Sequence, residues 1–217
     1  MNIPMELYIQ AQSHLPESGK HILAQQTTDR IVVYQAYNNE IANFALANGH
    51  FGGPKFSLER MSWIKPGFMW MMYRSGWATK PNQERVLAIY LGKERFEEIL
   101  LRSVSTSFHS NSQYPNREDW NKALQTSDVL LQWDPDHDPQ GGKLERRAVQ
   151  VGLRGDTLKE FVTDWIERIE DVTKFVKDQK IVFDSNEWDK LLVPVETVFK
   201  PSDEQICERI GLSIWNN

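Results

Sequence analysis

The run Arg85-Val86-Leu87-Ala88-Ile89-Tyr90-Leu91 constrains this chain more than any other feature. It is almost continuously apolar, which is how a strand buried on both faces reads, so the fold must place cover on each side of it. Arg30–Tyr37, rich in β-branched and aromatic residues, predicts a second strand, and Asp128–Trp133 and Arg147–Leu153 predict two more. An acidic, glycine-containing loop joins the last two as a hairpin. Asn38 is a good N-cap, and Ile41, Ala42, Ala45 and Leu46 recur at helical spacing until Gly49 ends the helix. Phe96, Ile99, Leu100 and Val104 mark another helix, and a short one is expected near Glu118. From Thr157 to Val176, the residues Leu158, Phe161, Val162, Trp165, Ile166, Ile169, Val172 and Val176 follow an i, i+3, i+4 pattern and predict one long amphipathic helix. Leu192–Val195 and Glu196–Phe199 suit an edge strand, because Pro194 cannot donate to a central ladder. Glu204–Ile210 predicts a terminal helix capped by Ser202 and ended by Gly211.

Strands and helices mix without a regular βαβ beat, and no repeat or linker is evident. The expectation is one α+β domain: a mixed or antiparallel sheet core with packed helices over 27–217, preceded by a loosely ordered arm or covering segment over 1–26. A length of 217 residues suits one full hydrophobic core, or at most two small domains.

Composition narrows the function classes. A net charge of −5 argues against a broadly basic nucleic-acid surface, although a local basic groove fits within a net acidic total. The single cysteine, Cys207, excludes an internal disulfide and any multi-cysteine metal site, which fits a reducing compartment. The first residues lack the basic flank and apolar run of a signal peptide. The longest apolar run, around Phe68–Met72, is too short to cross a bilayer. The expectation is a cytoplasmic protein with no membrane partner.

Between Trp63 and Trp77 lie three of the eight tryptophans and three of the six methionines, together with Lys65 and Arg74. Pro66 suits a first helical position and Gly76 a stop, so a helix of about three turns is predicted. On it Trp70, Arg74 and Trp77 share one face, and Met69 and Tyr73 the next. A guanidinium between indoles is either a packed cation–π cluster in a core helix or the wall of a pocket for something flat or anionic.

Asp134, Asp136, Asp138 and Glu145 fall at positions 1, 3, 5 and 12 of a twelve-residue window, the EF-hand spacing. Pro139 stands where the sharp turn needs glycine, and the flanks read as strands. The loop is therefore a weak divalent-ion candidate and more readily a solvated acidic turn; otherwise no metal is expected. His14 and His21 lie in the arm and His50 and His109 in loops, with no pair at zinc-ligand spacing. No nucleophile elbow, Walker loop or G-x-G-x-x-G is present. What remains is a polar and aromatic set on the presumed core elements: Arg30, Tyr34, Gln35 and Tyr37; Trp63, Lys65, Tyr73, Arg74 and Trp77; Arg147 and Gln150. Cations and aromatic planes are what a nucleotide needs. Alternation puts Tyr34 on the face opposite Gln35 and Tyr37.

Four separated motifs carry a resemblance. They are Val33–Asn38, Trp63–Pro66 with Met71–Trp77, Gln132–Pro139 and Arg147–Gly155. In this order they resemble an uncharacterised domain-of-unknown-function family, number 4291, across nearly the whole chain. A fainter likeness is carried by the first strand, ending in an aromatic–polar–x–aromatic step, and by Ile41-x-x-x-Ala45-Leu46-x-x-Gly49. It is similar to the opening of ADP-ribosyltransferases of the RNA-phosphotransferase and DNA-modifying kinds. That likeness implies NAD as ligand, Gln35 at the position of the ribose-holding histidine, Tyr73 or Trp77 as the nicotinamide-stacking ring, and Gln150 near the glutamate position. It makes Gln35, Tyr73 and Gln150 the candidate catalytic residues. Arg30, Tyr37, Trp63, Lys65, Arg74 and Trp77 become candidate NAD contacts, with Arg30, Lys65 and Arg74 for the phosphates. Gln35 cannot change charge as histidine does, and Gln150 cannot hold positive charge as a carboxylate does, so the likeness carries binding further than transfer. The acceptor it leaves open is a protein, a nucleic acid or a small molecule. The competing expectation is a non-enzymatic module that holds single-stranded nucleic acid or a protein through an aromatic–basic groove.

Overall fold

A computed structural model describes residues 4–108 and 113–215; His109, expected in a loop, lies outside them. In chain order the elements are β1 (Met5–Leu7), α1 (Tyr8–His14), β2 (Gly19–Lys20), β3 (Ile22–Ala24), β4 (Arg30–Tyr37), α2 (Asn39–Asn48), β5 (Ser62–Ile64) and α3 (Phe68–Ser75). Next come β6 (Arg85–Gly92), α4 (Lys93–Arg102), β7 (Val104–Ser105), α5 (Arg117–Thr126), β8 (Val129–His137), β9 (Lys143–Leu153) and α6 (Gly155–Glu160). The chain closes with β10 (Ile166–Asp171), α7 (Thr173–Asp184), β11 (Leu192–Pro194), β12 (Thr197–Phe199) and α8 (Glu204–Ile210). The fold is α+β.

β6 is the centre of a three-stranded antiparallel sheet, flanked by β4 and β10. Its burial on both faces follows from strand alternation. Ile31 and Val33 of β4 with Leu87, Ile89 and Leu91 of β6 enter one core, closed by α2, α4 and the β8–β9 hairpin. Val32 and Tyr34 with Val86 and Ala88 enter a second core, closed by α1, α3 and α7. The near-continuous apolar run is thus the signature of a sheet sandwiched between two cores. A second sheet, ordered β2-β9-β8-β7, adds β5 on the outer edge of β9 through Ser62, Trp63 and Ile64.

Two sequence expectations are corrected. Residues 157–176 do not form one helix: α6 widens into a π turn over Phe161–Trp165, and the chain then becomes β10. β10 pairs with β6 with a register shift between Ile166 and Arg168. One extra residue in a strand puts side chains three apart on the same face. Ile166 and Ile169 therefore both meet the first core, imitating a helical period. Residues 4–26 are also less loose than their sequence suggests. β1 pairs with β11 and β3 with β12, so short segments from the two ends of the chain complete one another.

Arg146 fixes this arm further. Its Nε donates to Asp136 at 2.7 Å and its Nη1 to Gln12 at 2.9 Å, with the Asp136–Arg146 pair almost wholly buried.

Candidate functional site

Besides sharing a core, the two sheets are linked by a backbone rung. Tyr34 donates its amide to the Lys65 carbonyl at 2.7 Å and the Lys65 amide returns to the Tyr34 carbonyl at 3.1 Å. Beside this rung lies an open cleft of about 1910 Å³, counting the solvent at its mouth. Its walls are the end of β4, the segment Lys55–Lys65, the cleft-facing side of α3, and the β8–β9 hairpin.

Of the residues singled out from the sequence, Gln35, Tyr37, Trp63, Lys65, Arg74 and Gln150 line this one cleft. Arg30, Tyr34, Tyr73, Trp77 and Arg147 do not. Arg30 starts β4, five residues or about 16 Å from Gln35, and its Nε donates to Glu167 at 2.5 Å. Tyr73 stacks on His137, centroids 3.6 Å apart and planes 10° apart, outside the lining. Trp77 falls beyond the Gly76 cap, so the helical spacing that put it on the face of Trp70 and Arg74 does not apply. Its backbone is left-handed (φ 56°), and its ring packs against Phe68 and Phe183 in the second core. Pro66 likewise precedes the helix cap at Gly67 rather than opening the helix. The N-terminus of α3 is instead satisfied by the buried Glu196, whose carboxyl accepts from the Phe68 amide at 2.6 Å.

The three aspartates of the acidic window also separate. Asp136 belongs to Arg146, Asp138 closes the turn by accepting from the Gly142 amide at 2.8 Å, and Asp134 faces the cleft. Among the described residues, no group of three or more His, Cys, Asp or Glu side chains is placed to hold a metal ion.

Asp134 is the cleft-lining residue that the sequence left in a loop. β8 runs to His137, so Gln132 and Asp134 stand two apart on one face, with Gln150 opposite Gln132 on β9. Asp134 accepts from Gln132 at 2.8 Å through one oxygen and from Gln150 at 2.9 Å through the other. The Q-x-D alternation was a signal for this. On the facing wall, Gln35 donates through Nε2 to Ser62 Oγ at 2.7 Å, and Ser62 Oγ shares a proton with the Tyr37 hydroxyl at 2.8 Å. Burial pushes the Tyr37 phenol up to about 12, so it stays protonated. The Gln35 amide oxygen and the Trp70 indole N–H are buried without a partner among the described residues, one free acceptor and one free donor on cleft-lining side chains.

Charge is concentrated here. Lys55, Arg60, Lys65 and Arg74 face the cleft against the single carboxylate of Asp134, in a chain whose net charge is −5. Lys65 is 6% exposed. Burial, and next the Arg74 guanidinium, lower its amine to about 7, against the opposing pull of Asp134. Its Nζ donates to the Trp63 carbonyl at 3.0 Å. A locally basic, aromatic-walled cleft with neutral amides and one fixed carboxylate suits an anionic ligand that also carries hydroxyls.

The family model of a domain of unknown function, DUF4291, matches residues 21–199. The chain belongs to the DUF4291 family. The match runs from β3 to β12, so the cleft lies wholly within the DUF4291 region. A comparison with curated proteins finds no match. No described helix of this DUF4291 protein is long and apolar enough to cross a membrane.

Proposed function

We propose that the cleft binds NAD or a related ADP-ribose-containing nucleotide, in an ADP-ribosyltransferase-like arrangement of two sheets around a ligand. The observation that carries this reading is the convergence of Gln35, Lys65, Arg74 and Gln150 on one locally basic cleft that also holds Asp134. Arg74 and Arg60 take the phosphates, since neither has an ion-pair partner among the described residues. Trp63 and Phe56 offer ring faces, in the place first given to Tyr73 and Trp77. Gln35 and Gln150 bond the ribose hydroxyls. In transfer, nicotinamide leaves with the electron pair of the glycosidic bond, and the ribose becomes oxocarbenium-like. The Asp134 carboxylate supplies the negative charge that Gln150 lacks, held in place before the reaction by two glutamines.

Thermal denaturation with NAD, ADP-ribose and AMP is the test. Ligand at a hundred times its Kd adds about 2.7 kcal/mol, which is several degrees in Tm for a chain of this size. No stabilisation by any of the three at millimolar concentration overturns the reading. A second reading draws on the open mouth of the cleft, whose own volume of about 920 Å³ lies at the upper end of the ~300–1,000 Å³ of ordinary small-molecule sites. An extended nucleic-acid strand also fits such a groove, as acceptor or as the ligand itself. Its affinity falls steeply with salt, whereas that of NAD responds mildly.

A further inference from the structure

We infer that Lys65 is a nucleophilic lysine that forms an imine with an aldehyde bearing a phosphate group. The inference goes beyond nucleotide binding and does not depend on NAD being the ligand. Lys65 follows β5 directly, anchored by both backbone hydrogen bonds to Tyr34, and its side chain opens on the cleft. No carboxylate lies within ion-pair distance of it among the described residues, and the one hydrogen bond of its amine is donation to the Trp63 carbonyl. An amine so held keeps its lone pair for a ligand. The ionisable groups sharing the cleft are Arg74 from α3, Asp134 from β8, Tyr37 from β4, and Lys55 and Arg60 from the loop before β5. Desolvation beside a second cation is what makes a lysine nucleophilic at neutral pH. With the amine near 7, about half of Lys65 is neutral at pH 7, against roughly one part in 10³ of an ordinary lysine. Arg74 and Arg60 supply the contacts that favour a phosphate.

The step balances without a further reactant. The amine lone pair attacks the aldehyde carbon, the C–N bond forms, and the carbonyl oxygen takes up the ammonium proton to give a carbinolamine. The nitrogen lone pair then forms C=N as the C–O bond breaks, and the hydroxyl leaves as water with the remaining N–H proton.

The test uses pyridoxal 5′-phosphate as probe, unphosphorylated pyridoxal as control, borohydride to fix the imine, and peptide mapping to locate it. The expected result is one adduct per chain, on Lys65, with a rate half-maximal near pH 7. Labelling by pyridoxal should be at least about tenfold slower, the factor one hydrogen bond to a charged group is worth. K65M should abolish the adduct. Should that variant fail to fold, mapping of the unaltered chain still decides. Adducts spread over exposed lysines such as Lys80, labelling of Lys65 only above about pH 9, or equal rates for the two probes would overturn the inference. A chain stabilised by NAD but unlabelled at Lys65 refutes this inference alone. One labelled at Lys65 but untouched by nucleotides refutes the nucleotide reading alone.

Discussion

Asp134 on β8 accepts the side-chain amide of Gln150 on β9 at 2.9 Å, with its other oxygen held by Gln132. The position to which the proposed ADP-ribosyltransferase likeness would assign a glutamate thus holds an amide that donates to a neighbouring carboxylate. Asp134→Asn keeps the shape and removes the charge. Nicotinamide release from NAD should fall by about 10²–10³, the usual cost of losing one preorganised electrostatic group, with NAD affinity changed by no more than a few fold. An unchanged rate of release would remove Asp134 from the chemistry.

Arg74 and Arg60 should each contribute to anionic-ligand affinity. Arg74→Ala and Arg60→Ala are expected to weaken ADP-ribose binding by about 1–2 kcal/mol each, or roughly 5–30-fold, as read by calorimetry. Arg30→Ala is the control: paired with Glu167 at the far end of β4, it should leave affinity unchanged.

The Asp136–Arg146 pair makes a separate claim about stability. Both side chains are buried, 7% and 5% exposed, so removing one partner strands a charge. Arg146→Met should cost about 3–5 kcal/mol in urea unfolding, and Asp136→Leu with Arg146→Met should recover most of it. A loss below about 1 kcal/mol in the single variant would mean that the pair is hydrated in solution.

Two buried groups give pH dependences of opposite sign. Lys65 falls from 10.5 to about 7 on folding, so between those values the unfolded chain binds the extra proton and stability rises with pH. Burial raises the Glu196 carboxyl from 4.5 to about 8, so between those values the folded chain binds the extra proton and stability falls as pH rises. Comparing denaturant midpoints with those of Lys65→Met should isolate a rising limb above pH 7. Glu196→Gln should isolate a falling limb below pH 8. Each limb amounts to about 3–5 kcal/mol at 1.36 kcal/mol per unit. A flat difference curve for either variant would contradict the burial of that group.

Where local pattern and tertiary pairing agree, the sequence was readable. β4, α2, β6, α4 and the β8–β9 hairpin carry their own period and their own stops, such as the Asn38 side chain that accepts from the Ile41 amide at 3.0 Å. The N-terminal strands have two or three residues each and exist only through partners far along the chain, as Ile22 does with Phe199, so no local window shows them. The bulge in β10 misled because spacing of three is shared by helices and bulged strands. In the site, strand residues such as Gln35 and Gln150 were legible because alternation fixes their direction. Trp77 was not, because Gly76 turns the chain before the helical spacing can be completed. Asp134 was missed because an acidic, proline-containing stretch reads as a loop until its ladder with Ala148 is seen.

Trp63 and Trp70 line the cleft, whereas Trp77, Trp120, Trp133, Trp165, Trp188 and Trp215 do not. Titrating ADP-ribose into nitrogen-15-labelled protein and following the tryptophan indole N–H resonances therefore tests the central claim at its location. The account predicts saturable shifts of the Trp63 and Trp70 resonances, lost in Arg74→Ala, with the other six unmoved. Shifts confined to Trp120 or Trp215, or none at millimolar ligand, would contradict it.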